Sequence, residues 1–291
     1  MLTPFLEQTA KSLSRNDIPE YAFILQPNHP LPSINRIKEL MNLTRIILFP
    51  GFFGDITVTK DTTVSCLKQI YALLGEQIYN CLCFDDHYDC PQSRAEELTI
   101  AFIDKLPEIK RLLATDVEAV HNCDPAVKNY SEVIFCYPAI QAMLHYRVAH
   151  ELLLMQIPLL PRIITEQAHF ATGIDIHPGA QIGEYFSIDH GTGVVIGETC
   201  IIGNNVRLYQ GVTLGAKGFV YDSAGLPLNV PRHPIIEDNV IIYSNSTILG
   251  RITIGHDSII GGNIWQVYSV PPHSRIVQKK ATAAFVDGLG I

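Results

Sequence analysis

The most restrictive feature of this chain is a period of six. Aliphatic residues stand at Ile176, Ile182 and Ile188, then after an eight-residue step at Ile196, Ile202, Leu208 and Leu214, and after a longer gap at Ile236, Ile242, Ile248, Ile254 and Ile260. A helix needs a spacing near 3.6 and a simple amphipathic strand a spacing of two, so a strict six implies a short strand plus a corner, repeated. The expected result is a parallel β-helix of triangular section. At three hexads per turn these positions make about four coils, stacked about 4.8 Å apart by strand pairing. Small or apolar residues follow four places later at Ala180, Cys200, Val206, Val212, Val240, Ile252 and Ile264. The segments "IGNNV", "IEDNV" and "IGHDS" suit corners that need left-handed backbone. Residues 216–234 break the period and, with Gly218, Gly225, Pro227 and Pro231, read as a loop extruded from one corner.

Before residue 171 the pattern differs. Only Gly51, Gly54 and Gly75 of the 20 glycines fall there. Apolar residues recur at helical spacing in "SCLKQIYALLGEQIYNCL", "AEELTIAFIDKL" and "AIQAMLHYRVAHELLLMQI", and Pro158 and Pro161 are expected to break the last of these. The expected class is therefore α+β: an all-α domain over 1–170, a β-helix over 171–278 and a flexible tail over 279–291. A chain of 291 residues is long enough for two separate cores. Its net charge of -8 argues against nucleic acid as a partner. No apolar run is long enough to span a bilayer, and "MLTPFLEQTAKSLSRND" lacks a secretory pattern, so a cytoplasmic protein is expected. Seven cysteines without a C-x-x-C pair read as buried free thiols.

Chemistry-bearing residues gather within the β-helix. Asp175 and His177 lie in "GIDIHPGA", Asp189 and His190 in "SIDHGTGVVIGE", and Arg232 and His233 in "PRHP". In the second stretch the only other charge is Glu198. A neutral imidazole titrates near working pH and can take a proton from a hydroxyl, while a guanidinium fork matches a carboxylate.

The motifs "DIHP", "DHGTGVVIGET", "QGVTLG" and "RHP", in this order, resemble those of the serine O-acetyltransferases, hexapeptide-repeat enzymes whose β-helix is left-handed. The similarity covers the whole β-helix and reaches the helical half through "FPGFFG", "CDPAVKNY" and "HYRVAHEL". The resemblance implies transfer of acetyl from acetyl-CoA to the hydroxyl of L-serine, the first step of cysteine biosynthesis, without a metal. It assigns His190 as general base and Asp175, fifteen residues earlier, as the carboxylate that orients it. A structural role for Asp175, bonding a corner amide, is the competing reading. Arg232, helped by His233, would hold the serine carboxylate, and Asp189 with Asp124 its ammonium group. Asp124 lies in the helical half, so the pocket is expected where the two halves meet.

Backbone of "TLGAKG" at Gly215 and Ala216 is the expected oxyanion donor, and Lys217 and Ser244 are expected near acetyl-CoA. Two departures bear on that cofactor groove. "IYSNST", with Tyr243 and Ser244, stands where many members carry "GAGA", and "SRIVQKKA" replaces a terminal "GxPAR", which turns attention to Lys217, Lys279 and Lys280 for phosphate contacts. Cys200 occupies an inward repeat position and reads as core filling, so direct transfer is expected. His177 reads as structural, His256 as a solvated corner residue and His273 as part of a terminal turn.

The resemblance further implies a homotrimer or a dimer of trimers with sites between neighbours, and L-cysteine as a feedback inhibitor. The tail "KKATAAFVDGLGI" resembles the ending by which such enzymes enter the active site of O-acetylserine sulfhydrylase, making Ile291 a partner-binding residue. Extended, the residues after Lys280 reach about 36 Å. Three other readings compete. A different hydroxyl acceptor, homoserine or a sugar, is the nearest. A γ-type carbonic anhydrase would bring His177, His190 and His233 to zinc at a trimer interface, but no H-x4-H cluster occurs among the hexad repeats. A structural scaffold would show an outward threonine ladder, and this chain has none.

Overall fold

The computed structural model describes residues 2–13, 30–54, 59–84 and 92–279. Among these, seven helices precede the strands: α1 (Leu2–Leu13), α2 (Ile34–Leu48), α3 (Lys60–Phe84), α4 (Gln92–Cys123), α5 (Tyr130–Cys136), α6 (Pro138–Leu154) and α7 (Leu160–Thr172). Their starts follow local chemistry. Ser33 accepts from the Arg36 amide at 3.4 Å and Asn129 from the Glu132 amide at 2.9 Å, each satisfying a donor left free at a helix start. Pro138 and Pro161 occupy first turns, where a missing N–H costs nothing. Pro161, expected to break a helix, thus opens α7. The break falls earlier, between Leu154 and Leu160, where Gln156 and Leu159 take φ of 61°.

After Gly173 the chain coils. The first face carries β1 (Asp175–Ile176), β4 (Val195–Ile196), β7 (Thr213–Gly215), β10 (Thr247–Leu249) and β13 (Trp265–Gln266). The second carries β2 (Gln181–Ile182), β5 (Ile201–Ile202), β8 (Ile235–Ile236) and β11 (Thr253–Ile254). On the third lie β3 (Ser187–Asp189), β6 (Arg207–Tyr209), β9 (Ile241–Ile242), β12 (Ile259–Ile260) and β14 (Arg275–Ile276). All pairings within these faces are parallel, and the register stacks hexad positions on one another, as in Ile176 on Ile196 and Ile188 on Leu208. Every hexad aliphatic named from the sequence is buried, none more than 8% exposed. Left-handed backbone turns the corners at Asn205, Asn239, Asn245, Asn263 and Asp257, with φ between 54° and 59°.

The solenoid has five coils where four were expected. Its last coil, with β13 and β14, puts Gln266 on Ile248, where a hexad aliphatic would stand, and Trp265 on Thr247 at an outward position, 69% exposed. A coil that covers only the end of the core does not need the full apolar set, so the period fades there.

The expectation of two separate cores is also corrected. Buried side chains of the helices and coils form one contiguous cluster from Ile37 to Val270. Tyr146 of α6 donates its hydroxyl to the Ala180 carbonyl at 2.6 Å. Arg147 grips Asp116 of α4 through Nε at 3.1 Å and Nη2 at 2.9 Å, and donates to the Ile182 and Gly183 carbonyls at 2.7 Å each. Both charges are buried, so removing one partner alone costs about 3–5 kcal/mol. This clamp fixes the helices on the first coil, and with them Asp124. Cys66, Cys81 and Cys200 are buried free thiols, whereas Cys83 is disulfide-bonded, against the expectation of free thiols.

Candidate active site

The eight-residue step between Ile188 and Ile196 places two extra residues at the edge where the third face turns into the first. Here His190 and Gly191 adopt φ of 58° and 90°. A Cβ on Gly191 would come within 2.5 Å of Ile174 Cδ1, so the corner requires glycine. The effect is to lift the His190 side chain out of the solenoid, 71% exposed, with Nε2 3.8 Å from Asp189 Oδ1.

Asp124, just beyond α4, joins this edge. One of its carboxylate oxygens accepts from the Ala126 amide at 2.8 Å and the other from the Tyr137 hydroxyl at 2.5 Å. The Tyr137 hydrogen bond, then the Ala126 one, holds the Asp124 carboxyl below its usual range, and the same bond raises the Tyr137 phenol. Asp124, Tyr137 and Asp189 line one small pocket together with Arg207. Two carboxylates beside an exposed imidazole can hold an ammonium group and receive a proton.

Asp175 starts β1 close to this edge, but among the described residues no hydrogen bond or ion pair joins it to His190. Its carboxylate instead lies near Glu166 and His169 of α7, one ligand atom of each within 4.8 Å of the others.

A second group occupies the edge between the first and second faces. Arg232 donates from Nη2 to Glu198 Oε2 at 2.6 Å and from Nη1 to Asn229 Oδ1 at 3.1 Å. Burial works to raise the Glu198 carboxyl, and the hydrogen bond and charge of Arg232, with His177, outweigh it and hold the group below its usual value. His233 is buried, and its Nδ1 lies 3.1 Å from the Thr199 amide, which donates to it. The ring lies against Gly197, where a Cβ would approach Cδ2 to 2.1 Å. Burial first, and the Arg232 charge second, push His233 down to about 4, so it is neutral at working pH. His177 is likewise lowered, mainly by burial, and its Nδ1 accepts from the Gly179 amide at 3.0 Å.

Along the same edge, Gly215 ends β7 and its carbonyl accepts from the Gly250 amide at 3.0 Å. Ala216 is half-buried and Lys217 exposed. Lys217 Nζ sits 5.7 Å from the Tyr268 ring centroid, and Lys217 and Arg232 line one groove of about 410 Å³ at the base of the extruded loop. The loop folds back on itself, with Tyr221 bridged to Pro227. Ser244 lies on the His190 edge two coils further on, beside Tyr243, whose ring stacks on Tyr209 with centroids 4.8 Å apart. Cys200 is fully buried and its thiol is pushed up to about 12 by that burial, so no thiolate is available there. Lys280 and Ile291 lie outside the described residues.

The His190 and Arg232 groups therefore sit at opposite edges of the first face, separated by roughly 15 Å, the width of about five residues of strand and corner. His177, His190 and His233 do not converge as a ligand set among the described residues. Sequence reasoning missed Tyr137 and Arg207, which carry no motif spacing. It quoted Glu198 without a partner. No described helix is long and apolar enough to cross a membrane.

No family model matches the chain. A plasmid-encoded serine acetyltransferase of Synechococcus elongatus is 48% identical over 277 residues, covering 90% of this chain and 87% of that protein. Among solved structures, serine acetyltransferase 1 of Entamoeba histolytica in complex with L-cysteine superposes with a TM-score of 0.75 at 36% identity, covering 92% of this chain and 94% of that one. Isoform 3 from the same organism, in complex with cysteine, gives a TM-score of 0.72 at 32% identity, covering 97% and 93%. With that identity sustained across both the helices and the coils, the chain belongs to the serine acetyltransferase family.

Proposed function

We propose that the chain transfers acetyl from acetyl-CoA to the hydroxyl of L-serine, giving O-acetylserine and CoA as the first step of cysteine biosynthesis. The observation that carries this reading is the exposed His190 imidazole beside Asp189, facing the Asp124 carboxylate from the helices. In the proposed reaction Asp124 and Asp189 hold the serine ammonium group, and Arg232, with neutral His233, holds its carboxylate. His190 takes the hydroxyl proton as the serine oxygen attacks the thioester carbonyl. Backbone N–H groups at Gly215 and Ala216 stabilise the oxyanion, and the tetrahedral intermediate collapses to ester and CoA thiolate, which takes the proton from His190. Lys217 and Ser244 line the path of acetyl-CoA, and Asp175 orients His190 once the complete site is assembled.

A serine molecule spans far less than the separation of the two edges, which supports a site built between neighbouring subunits of a trimer, alone or paired. L-cysteine, with sulfur for oxygen, fits the same pocket as an inhibitor, in keeping with the cysteine complexes of the Entamoeba relatives. Ile291 is proposed to dock into O-acetylserine sulfhydrylase. A cytoplasmic setting suits acetyl-CoA as donor.

Release of free CoA, measured with L-serine, homoserine and a hexose as acceptors, tests the reaction. Serine-dependent release alone is expected; release driven equally by homoserine or the sugar would overturn the acceptor assignment.

A further inference from the structure

The third edge of the solenoid, between the second and third faces, lies away from both proposed half-sites. Successive coils stack polar corner residues there: Asn205, then Asn239, then His256 and Asp257, then His273. We propose that His256, Asp257 and His273 form a binding site for a divalent transition-metal ion of the zinc class.

The three residues offer two imidazole nitrogens and one carboxylate oxygen, one ligand atom from each lying within 4.8 Å of the others. His256 Nδ1 is 2.7 Å and His273 Nδ1 3.6 Å from the same oxygen, Asp257 Oδ2. Tetrahedral coordination with bonds of about 2.0–2.1 Å sets ligand atoms about 3.3 Å apart, so these spacings bracket what such an ion needs. Small ring rotations suffice. The rings are nearly perpendicular, 87° apart with centroids at 4.9 Å, so their nitrogens approach the oxygen from different directions rather than as a parallel stack. Imidazole with carboxylate is a donor set that zinc, cobalt and nickel accept.

The support behind the ligands is already built. Asp257 Oδ1 accepts from Asn239 Nδ2 at 3.0 Å, and Asn239 Oδ1 in turn accepts from Asn205 Nδ2 at 2.9 Å. This ladder turns the other carboxylate oxygen toward the histidines, the outer-shell bonding that orients ligands in metal sites. Glu237 accepts from the His256 amide at 2.8 Å, and the His273 amide donates to the His256 carbonyl at 2.9 Å. Asp257 and His273 both hold left-handed backbone, φ 56° and 58°, which fixes where their side chains leave the corner. Side-chain exposures of 46%, 41% and 70% leave the site open to an entering ion and to a water as fourth ligand. The ion would tie the last coil, where Gln266 replaces one of the hexad aliphatics, to the coil beneath it.

The test uses the full chain freed of metal, titrated with Zn²⁺ by calorimetry and with Co²⁺ by visible absorption, with melting followed alongside. One ion per chain with a micromolar-range Kd is expected, with a Tm rise of about 5 °C when zinc stands a hundredfold above Kd. Asp257→Asn and His273→Asn keep residues that tolerate left-handed backbone, and each should weaken binding at least tenfold without changing the metal-free Tm by more than a degree or two. Absence of saturable binding, or of a four-coordinate cobalt spectrum, would overturn the site without recourse to any variant. So would affinity unchanged in both variants, or lost only in His169→Gln, which would place the ion at the Glu166, His169 and Asp175 group instead.

Discussion

Arg232 is held by Glu198: its Nη2 lies 2.6 Å from Glu198 Oε2, with both side chains about a quarter exposed at 23% and 28%. In the proposed site a substrate carboxylate shares this guanidinium with Glu198, which a planar, multi-donor fork allows and a point charge does not. Arg232→Lys should therefore raise the KM for serine at least tenfold with a smaller effect on kcat. An unchanged KM in steady-state assays would count against Arg232 as the carboxylate anchor.

The His190 and Arg232 groups occupy opposite edges of one face, and in the proposed site between subunits each draws its complement from a neighbouring copy. His190→Ala and Arg232→Ala subunits, each inactive alone, should regain measurable turnover when unfolded and refolded together. A mixture that stays as inactive as its parents places the whole site within one chain.

His233 sets a pH dependence. Its folded-state pKa of about 4 lies below the ordinary value for histidine, so between those two values the unfolded chain binds more protons and stability falls as pH falls. The loss from this residue is about 2 kcal/mol at pH 5 relative to pH 8. Asn at this position can still accept from the Thr199 amide. Urea unfolding at fixed protein concentration should thus show a flatter pH response for His233→Asn than for the parent, and parallel curves would remove His233 as the source.

The solenoid was legible because each two- or three-residue strand has one inward position, so burial writes its period directly into the sequence. Where burial relaxes, as at Gln266, that signal vanishes and the fifth coil was missed. Helix α7 was obscured because Pro161 both forbids helix before it and favours a helix start at its own position. Asp189, His190, Arg232 and His233 stood out as charge among aliphatic repeats. Their partners did not: Tyr137 reaches Asp124 across the α5 turn, and Glu198 meets Arg232 only after the extruded loop returns. The nearness of Asp175 to Glu166 and His169 depends on how α7 docks on the first coil, which no residue spacing encodes.

The tail carries a separate expectation. If Ile291 docks as proposed, deleting it alone should abolish calorimetric binding to O-acetylserine sulfhydrylase and leave serine acetylation unchanged, since its branched side chain would fill an apolar pocket of that partner. Equal binding by the truncated chain would make the ending irrelevant to that partner.

Turnover of His190→Ala with saturating serine and acetyl-CoA bears most directly on the proposed chemistry. His190 is 71% exposed and makes no core contact that its loss would collapse, so Tm and oligomeric mass should match the parent. General bases contribute roughly 10²- to 10⁴-fold, and kcat should fall by about a hundredfold or more. A folded His190→Ala enzyme that keeps near-parental kcat would contradict the assignment of His190 as the base that activates serine.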